Sequence, residues 1–255
     1  PKILKALCRA LDYEYFDIYV HIDKRSDITL FDTDNYGLKY SKLYVLKDRI
    51  KVRWGDVSQV DAALKMYEQA LNTYDYCRYV TISGLDFPIK SNEKIYETLI
   101  KSDIEFIKGN PITKKDEHKV RNYYFWKLGK FGSLISRGLK LLKIKRKDKL
   151  FIDGKEVSIY FAPSWHGLSG EFVKYMFDVL KRNNVRDYFR FAYASDELMI
   201  PTILFNNDKF KSRAIACDFP ENTHYNEKTA LHYLNYEPVI EVYDENSFDK
   251  IINSD

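Results

Sequence analysis

Tyr79-Val80-Thr81-Ile82-Ser83-Gly84-Leu85-Asp86-Phe87-Pro88-Ile89-Lys90 is the stretch whose reading decides the fold. An apolar strand over 79–82 runs into a small, glycine-containing turn, and an acid, an aromatic, a proline and a lysine follow. A strand leading into permissive backbone and fixed polar groups is how α/β proteins put chemistry at the carboxyl end of a sheet. The same pattern also describes a buried strand with an ordinary turn.

Working outward, Lys2 to Leu11 carries apolar residues at helical spacing. Asp17 to Asp23 predicts a strand ending in an acid, Leu43 to Leu46 a second, and Ile50 to Trp54 a third. Ser58 is expected to cap a helix, with Asp61 placed for a capping-box-like contact and Val60, Leu64, Tyr67 and Leu71 on the inward stripe. Asn92 to Lys101 predicts another helix and Ile104 to Ile107 a short strand. Regular structure resumes with a strand over Val157 to Phe161, a helix over Gly170 to Lys181, and a helix opening at Ser195. This alternation predicts an α/β fold with a mostly parallel central sheet and helices on both faces. A single domain over 1–255 is the simplest organisation, with a basic insertion at about 110–153.

Composition narrows the function. Forty-one basic against thirty-seven acidic residues, a net charge of +4, is too balanced to argue for nucleic acid. Three cysteines (Cys8, Cys77, Cys217) make no disulfide framework and point to a reducing compartment. No run of about 18 apolar residues spans a membrane. The chain begins at Pro1 rather than Met, so an incomplete N-terminus is expected.

Four places offer chemistry. In Tyr193-Ala194-Ser195-Asp196-Glu197-Leu198, acids in a first helical turn suit the helix dipole. Pro201 removes the hydrogen bond that would run back to the Glu197 carbonyl, which is compatible with a carboxylate held out into a cleft as a base. In Ala162-Pro163-Ser164-Trp165-His166-Gly167, Trp165 can stack on a sugar or plug a core, and a lone loop histidine is more often neither base nor ligand. Asp23, at a strand's end, can accept hydrogen bonds from a ribose or base, or form a turn. Trp54 follows another strand and offers a stacking face. Asp32-Thr33-Asp34 has a metal-like spacing but reads as a turn in a polar loop, so no metal is expected. The segment Trp126 to Lys149 mixes Leu, Ile and Phe with Lys and Arg. It reads either as an interfacial helix on an acidic membrane or, as favoured here, as a solvated insertion whose apolar side packs on the domain.

Together, IYVHIDKRS (18–26), VRWGDVSQVDAAL (52–64), YVTISGLDFPIKSN (79–92), SWHGLSGEFVKYM (164–176) and SDELMIPTIL (195–204) resemble the core-2/I-branching N-acetylglucosaminyltransferases, which share a family with peptide O-xylosyltransferases. The resemblance implies a GT-A-like nucleotide-sugar transferase fold, an inverting mechanism, a UDP-sugar donor and no metal. It puts Glu197 on the catalytic base and Asp23 and Trp54 near the uridine. His232 stands where the family has a phosphate-binding arginine, and a second basic residue is expected beyond Asp255. On this reading Asp86 and Lys90 shape the donor–acceptor floor, and Lys114, Arg121 and Trp165 meet the acceptor, a saccharide or lipid-linked glycan. Composition rich in Lys, Tyr, Ile and Asn suits a cytoplasmic bacterial enzyme of surface polysaccharide synthesis, in peripheral contact with the inner face of the membrane and without nucleic acid.

Overall fold

The computed structural model describes residues 1–215 and 230–232. Cys217, the segment after His232 and the expected basic residue past the C-terminus lie outside the described residues.

Helix α1 (Lys2–Ala10) buries Leu7 and Cys8. Strands β1 (Ile18–Val20) and β2 (Leu43–Val45) pair in parallel, with Ile18 opposite Leu43. The strand expected over Ile50 to Trp54 does not form. Lys24 donates its N–H to the Ile50 carbonyl (3.0 Å) and Ile50 donates to His21 Nε2 (2.8 Å), but the Val52 N–H goes to the Asp23 carboxylate (3.0 Å). A side-chain acceptor has displaced the ladder.

Helix α2 (Ser58–Thr73) follows, with Val60 and Tyr67 buried as the apolar stripe requires. Ser58 does not cap it. Its Oγ accepts the Arg53 N–H (2.9 Å), and Asp61 pairs with Arg186 (2.6 Å) rather than with the helix end. A bidentate guanidinium–carboxylate contact outcompetes a local capping bond.

Strand β3 (Arg78–Val80) and helix α3 (Asn92–Ile100), capped by Ser91, lie where the sequence puts them. Then come β4 (Asn110–Pro111), α4 (His118–Arg121), α5 (Gly129–Leu141) and a hairpin of β5 (Phe151–Ile152) and β6 (Lys155–Glu156). After these come β7 (Tyr160–Phe161), β8 (Gly167–Ser169), α6 (Gly170–Arg182), α7 (Val185–Tyr188), α8 (Met199–Phe205) and α9 (Asp208–Lys211).

The fold mixes helices with short strands, and the expected mostly parallel sheet is not what the described residues form. Among them β1–β2 is the parallel ladder; β3–β8, β4–β7 and β5–β6 are antiparallel. On its other side β8 is flanked by Phe106, which exchanges two backbone hydrogen bonds with Gly167 (2.8 and 3.0 Å). Hydrophobic periodicity identifies strands but not their direction, and the long excursion between α3 and α6 returns the chain to β3 from the opposite end.

The core gathers on α6 and α8. Phe172, Met176, Val179, Leu198, Ile203 and Leu204 are each at most 1% exposed, and burying such a side chain contributes roughly 1.5–3 kcal/mol. The basic region is corrected in two respects. Its ends belong to the domain: Val120, Leu150 and Ile152 are core residues, and β4 pairs with β7. Its middle does not pack its apolar side down, since Phe131, Leu134 and Leu141 of α5 are exposed.

Candidate active site

The turn carrying Glu197 is fixed before its side chain is considered. Ala194 takes a left-handed backbone (φ +53) and donates its N–H to the Gly55 carbonyl (3.0 Å). The Tyr193 N–H goes to the Lys119 carbonyl (2.8 Å) and the buried Ser195 hydroxyl to the Phe189 carbonyl (3.0 Å). Ser195 is therefore not the expected N-cap. Ser195–Glu197 form a single 3-10 turn, and α8 begins after it. The carbonyl of Glu197, which Pro201 cannot reach with an N–H, accepts from Ala162 (2.9 Å). The proline thus hands the Glu197 turn to the loop that follows β7.

Two adjacent acids are sorted by their partners. Asp196 Oδ2 accepts from the Ser164 hydroxyl (2.6 Å) and Gln59 Nε2 (3.2 Å), and burial pushes its carboxyl above the usual range. It acts as a pin. Glu197 instead lies 3.9 Å from Lys119 Nζ, with 22% of its side chain exposed. Lys119 also sits 4.0 Å over the Phe161 ring. A carboxylate oriented by a cation and open to solvent on one side has the geometry of a proton acceptor.

The loop from Ala162 to His166 reaches a second cluster. Trp165 donates its indole N–H to Asp86 Oδ2 (3.1 Å), where Ser83 also donates its backbone N–H (2.6 Å). His232 Nε2 lies 3.3 Å from the same oxygen, its ring 5.6 Å from that of Trp165. Burial works to raise the Asp86 carboxyl, but hydrogen bonds from His232 and Ser83 outweigh it and hold it below the usual range. His166 turns inward. Its Nε2 lies 2.9 Å from the Tyr67 hydroxyl, and burial pushes the imidazole down to about 4. It is a neutral core residue at ordinary pH.

Asp23 is heavily engaged. Its carboxylate accepts from Arg25 N, Nε and Nη2 (2.8, 2.9 and 2.8 Å) and from Val52 N. The Arg25 guanidinium holds it well below the usual carboxylate range. Trp54 stands out at 70% exposure, edge-on to Tyr193 (5.5 Å) and Trp126 (6.4 Å). Gly55, with φ +76, allows this approach; a Cβ there would meet the Trp126 ring at 3.0 Å. Asp32 and Asp34 lie in a short 3-10 turn, and the Asp32 carboxylate accepts from Asn35 Nδ2.

The structure thus joins Asp86, Trp165 and His232 in one cluster. Glu197 is tied to that cluster through the same loop, and Trp54 to Glu197 through Gly55, Gln59 and Asp196. Lys90 and Lys114 are exposed, the latter in the turn before α4. The Arg121 guanidinium donates to the Asp148 carbonyl (2.9 Å), so α4 turns Lys119, rather than Arg121, toward Glu197. Lys119, Trp126 and Tyr193 were missed in the sequence. The aromatic run Tyr123 to Trp126, inside a basic stretch, was the signal available for Trp126.

This geometry fits an enzyme that deprotonates a hydroxyl beside an aromatic wall. The family model of the Core-2/I-Branching enzyme matches residues 3–251, and the chain belongs to that family of glycosyltransferases. Among curated relatives, the Xylosyltransferase of Ciona intestinalis is 27% identical over 139 residues, 49% of this chain and 16% of that protein. Xylosyltransferase 2 of Rattus norvegicus is 27% identical over 110 residues (42% and 13%) and that of Homo sapiens 28% over 112 residues (42% and 13%). The matched stretch is therefore a small part of these much longer relatives.

Proposed function

We propose that this chain is an inverting glycosyltransferase of GT-A-like fold that moves a sugar from a UDP donor to a hydroxyl of a saccharide, with Glu197 as the base. The observation that carries the reading is the loop Ala162 to His166. It bonds the Glu197 turn through Ala162, the Asp196 pin through Ser164 and Asp86 through Trp165. A base needs a fixed position relative to the donor, and one short loop supplies it.

In the reaction the acceptor hydroxyl gives its proton to Glu197 as its oxygen bonds the anomeric carbon. The bond from that carbon to UDP breaks on the opposite face, and the diphosphate leaves with the electron pair. His232, held beside Asp86, is the residue assigned to the diphosphate, where fixed donors and cations would stabilise a leaving UDP without a metal. Trp54, with Trp126 and Tyr193, provides a face for a sugar or uracil ring. Asp23 shapes the nucleoside end through its clamp on Arg25 and Val52.

N-acetylglucosamine is the donor sugar that the quoted motifs favour, with a role in bacterial surface polysaccharide at the cytoplasmic side of the membrane. The names of the relatives favour xylose as a second reading. A panel of radiolabelled UDP-sugars separates the two. Glu197→Gln should lower transfer on the order of a thousandfold while UDP binding persists; transfer at close to the parental rate rules out Glu197 as the base. Calorimetry of UDP in EDTA and then in manganese tests metal independence, and binding that requires manganese overturns it.

A further inference from the structure

Segment 126–149 holds nine basic side chains against one acid, more positive charge than the net +4 of the whole chain. Within it α5 is attached to the domain along one narrow face. Gly132 is buried, and a Cβ there would lie 1.9 Å from the Phe125 carbonyl oxygen. Ser136 Oγ accepts the Phe125 N–H (3.2 Å). The segment's ends are fastened too. Trp126 donates its indole N–H to the Ala192 carbonyl (3.2 Å), and the buried Arg146 donates to the Tyr188 carbonyl (2.6 Å). The helix is therefore a fixed projection rather than a loose arm.

Its opposite face is apolar and uncovered. Phe131, Leu134 and Leu141 are 65, 63 and 77% exposed. At 100° per residue they fall within an arc of about 80°, and Lys130, Arg137 and Lys140 border that arc on one side. An exposed apolar ridge beside a row of cations matches the acyl and headgroup layers of an anionic bilayer. A second copy of the chain would bring an equal cluster of cations against this one and be repelled.

We propose that α5 docks on membranes containing anionic lipid, with Phe131, Leu134 and Leu141 entering the interface and the bordering cations meeting lipid phosphates. Trp126, at the head of this segment, touches Trp54 and Tyr193, so docking would hold the mouth of the site beside the bilayer. That last consequence rests on the transferase reading; docking itself does not.

Flotation of the chain with vesicles of phosphatidylcholine, alone or mixed with phosphatidylglycerol, tests it. The chain should float with the anionic vesicles only, and less as salt rises. Lys130→Gln/Arg137→Gln/Lys140→Gln should lower partitioning roughly a hundredfold, each cation near the surface counting for most of a decade. Phe131→Ser/Leu134→Ser/Leu141→Ser should abolish flotation. Both variants should melt as the parent does and bind UDP equally, because none of the six side chains is buried. Failure of the parent to float, equal flotation with neutral vesicles, or unchanged flotation of both variants overturns the proposal. So does a parent dimer that the serine variant converts to monomer, which would assign the ridge to a second copy.

Discussion

Ser164, Trp165 and His166 point three ways into the domain, to Asp196, Asp86 and Tyr67, whereas Phe131, Leu134 and Leu141 of α5 point away from it. The two regions are built on opposite principles. In the loop almost every polar group is bonded to another element, so its geometry is set by the protein alone. In α5 only a narrow glycine-bearing face is so determined, and the rest is presented outward. Polar atoms satisfied internally mark a place where position matters to chemistry. Large apolar side chains left outside mark a place where an external surface completes the structure.

The strongest test of this contrast is Glu197→Gln. Loss of a general base costs on the order of a thousandfold in turnover, while UDP affinity by calorimetry should stay within about twofold. No substitution along the α5 ridge should approach that effect on a soluble acceptor.

The second test uses pH. His166 has its pKa pushed down to about 4 by burial, against an ordinary value near 6.5. The unfolded chain therefore takes the proton more readily than the folded one. The stability this group contributes is complete above about pH 6.5 and falls as pH drops toward 4, by roughly 3 kcal/mol in all. Urea midpoints at pH 7 and 4.5, compared between the parent and His166→Gln, isolate this effect because the carboxylates titrate in both. The variant should be less stable at pH 7 and should lose less on acidification. Equal losses in the two proteins would show that the histidine is solvated and the loop less closed than its bonds imply.

The smallest effects come from two glycines of one helix. Gly132→Ala forces a methyl against the Phe125 carbonyl and should destabilise by about 1–3 kcal/mol. Gly138→Ala meets nothing within 4 Å and should stabilise by up to about 1 kcal/mol through helix propensity. Thermal melts of the pair report which face of α5 touches the domain.

Much of this contrast was legible in the sequence, and the failures have physical causes. The apolar stripes of α2 and α6 were readable because burial is periodic along a helix: Tyr67, Phe172 and Met176 are inside as expected. Strand direction was not readable, since β8 carries no mark of running against β3. Local capping was over-read at Ser58, Asp61 and Ser195, where partners distant in sequence won the competition. Glu197, Asp86, Trp165 and His232 were all singled out, but their connection was not. Lys119 reaches Glu197 from a segment read as insertion, and no local pattern encodes a contact across 78 positions. The favoured packing of the basic segment failed because an amphipathic pattern says that an apolar face exists, not what covers it.

Pro201 has a consequence for motion. Helix ends fray, and a residue wound into the first turn of a helix moves with that fraying. With Pro201 in place α8 has no backbone donor for Glu197, so loss of its first turn, where Thr202 donates to Leu198, leaves Glu197 where the Ala162 bond holds it. The carboxylate inherits the fluctuations of a buried loop instead of those of a helix end. Excursions of the first turn of α8 therefore have no backbone hydrogen bond through which to pull on Glu197.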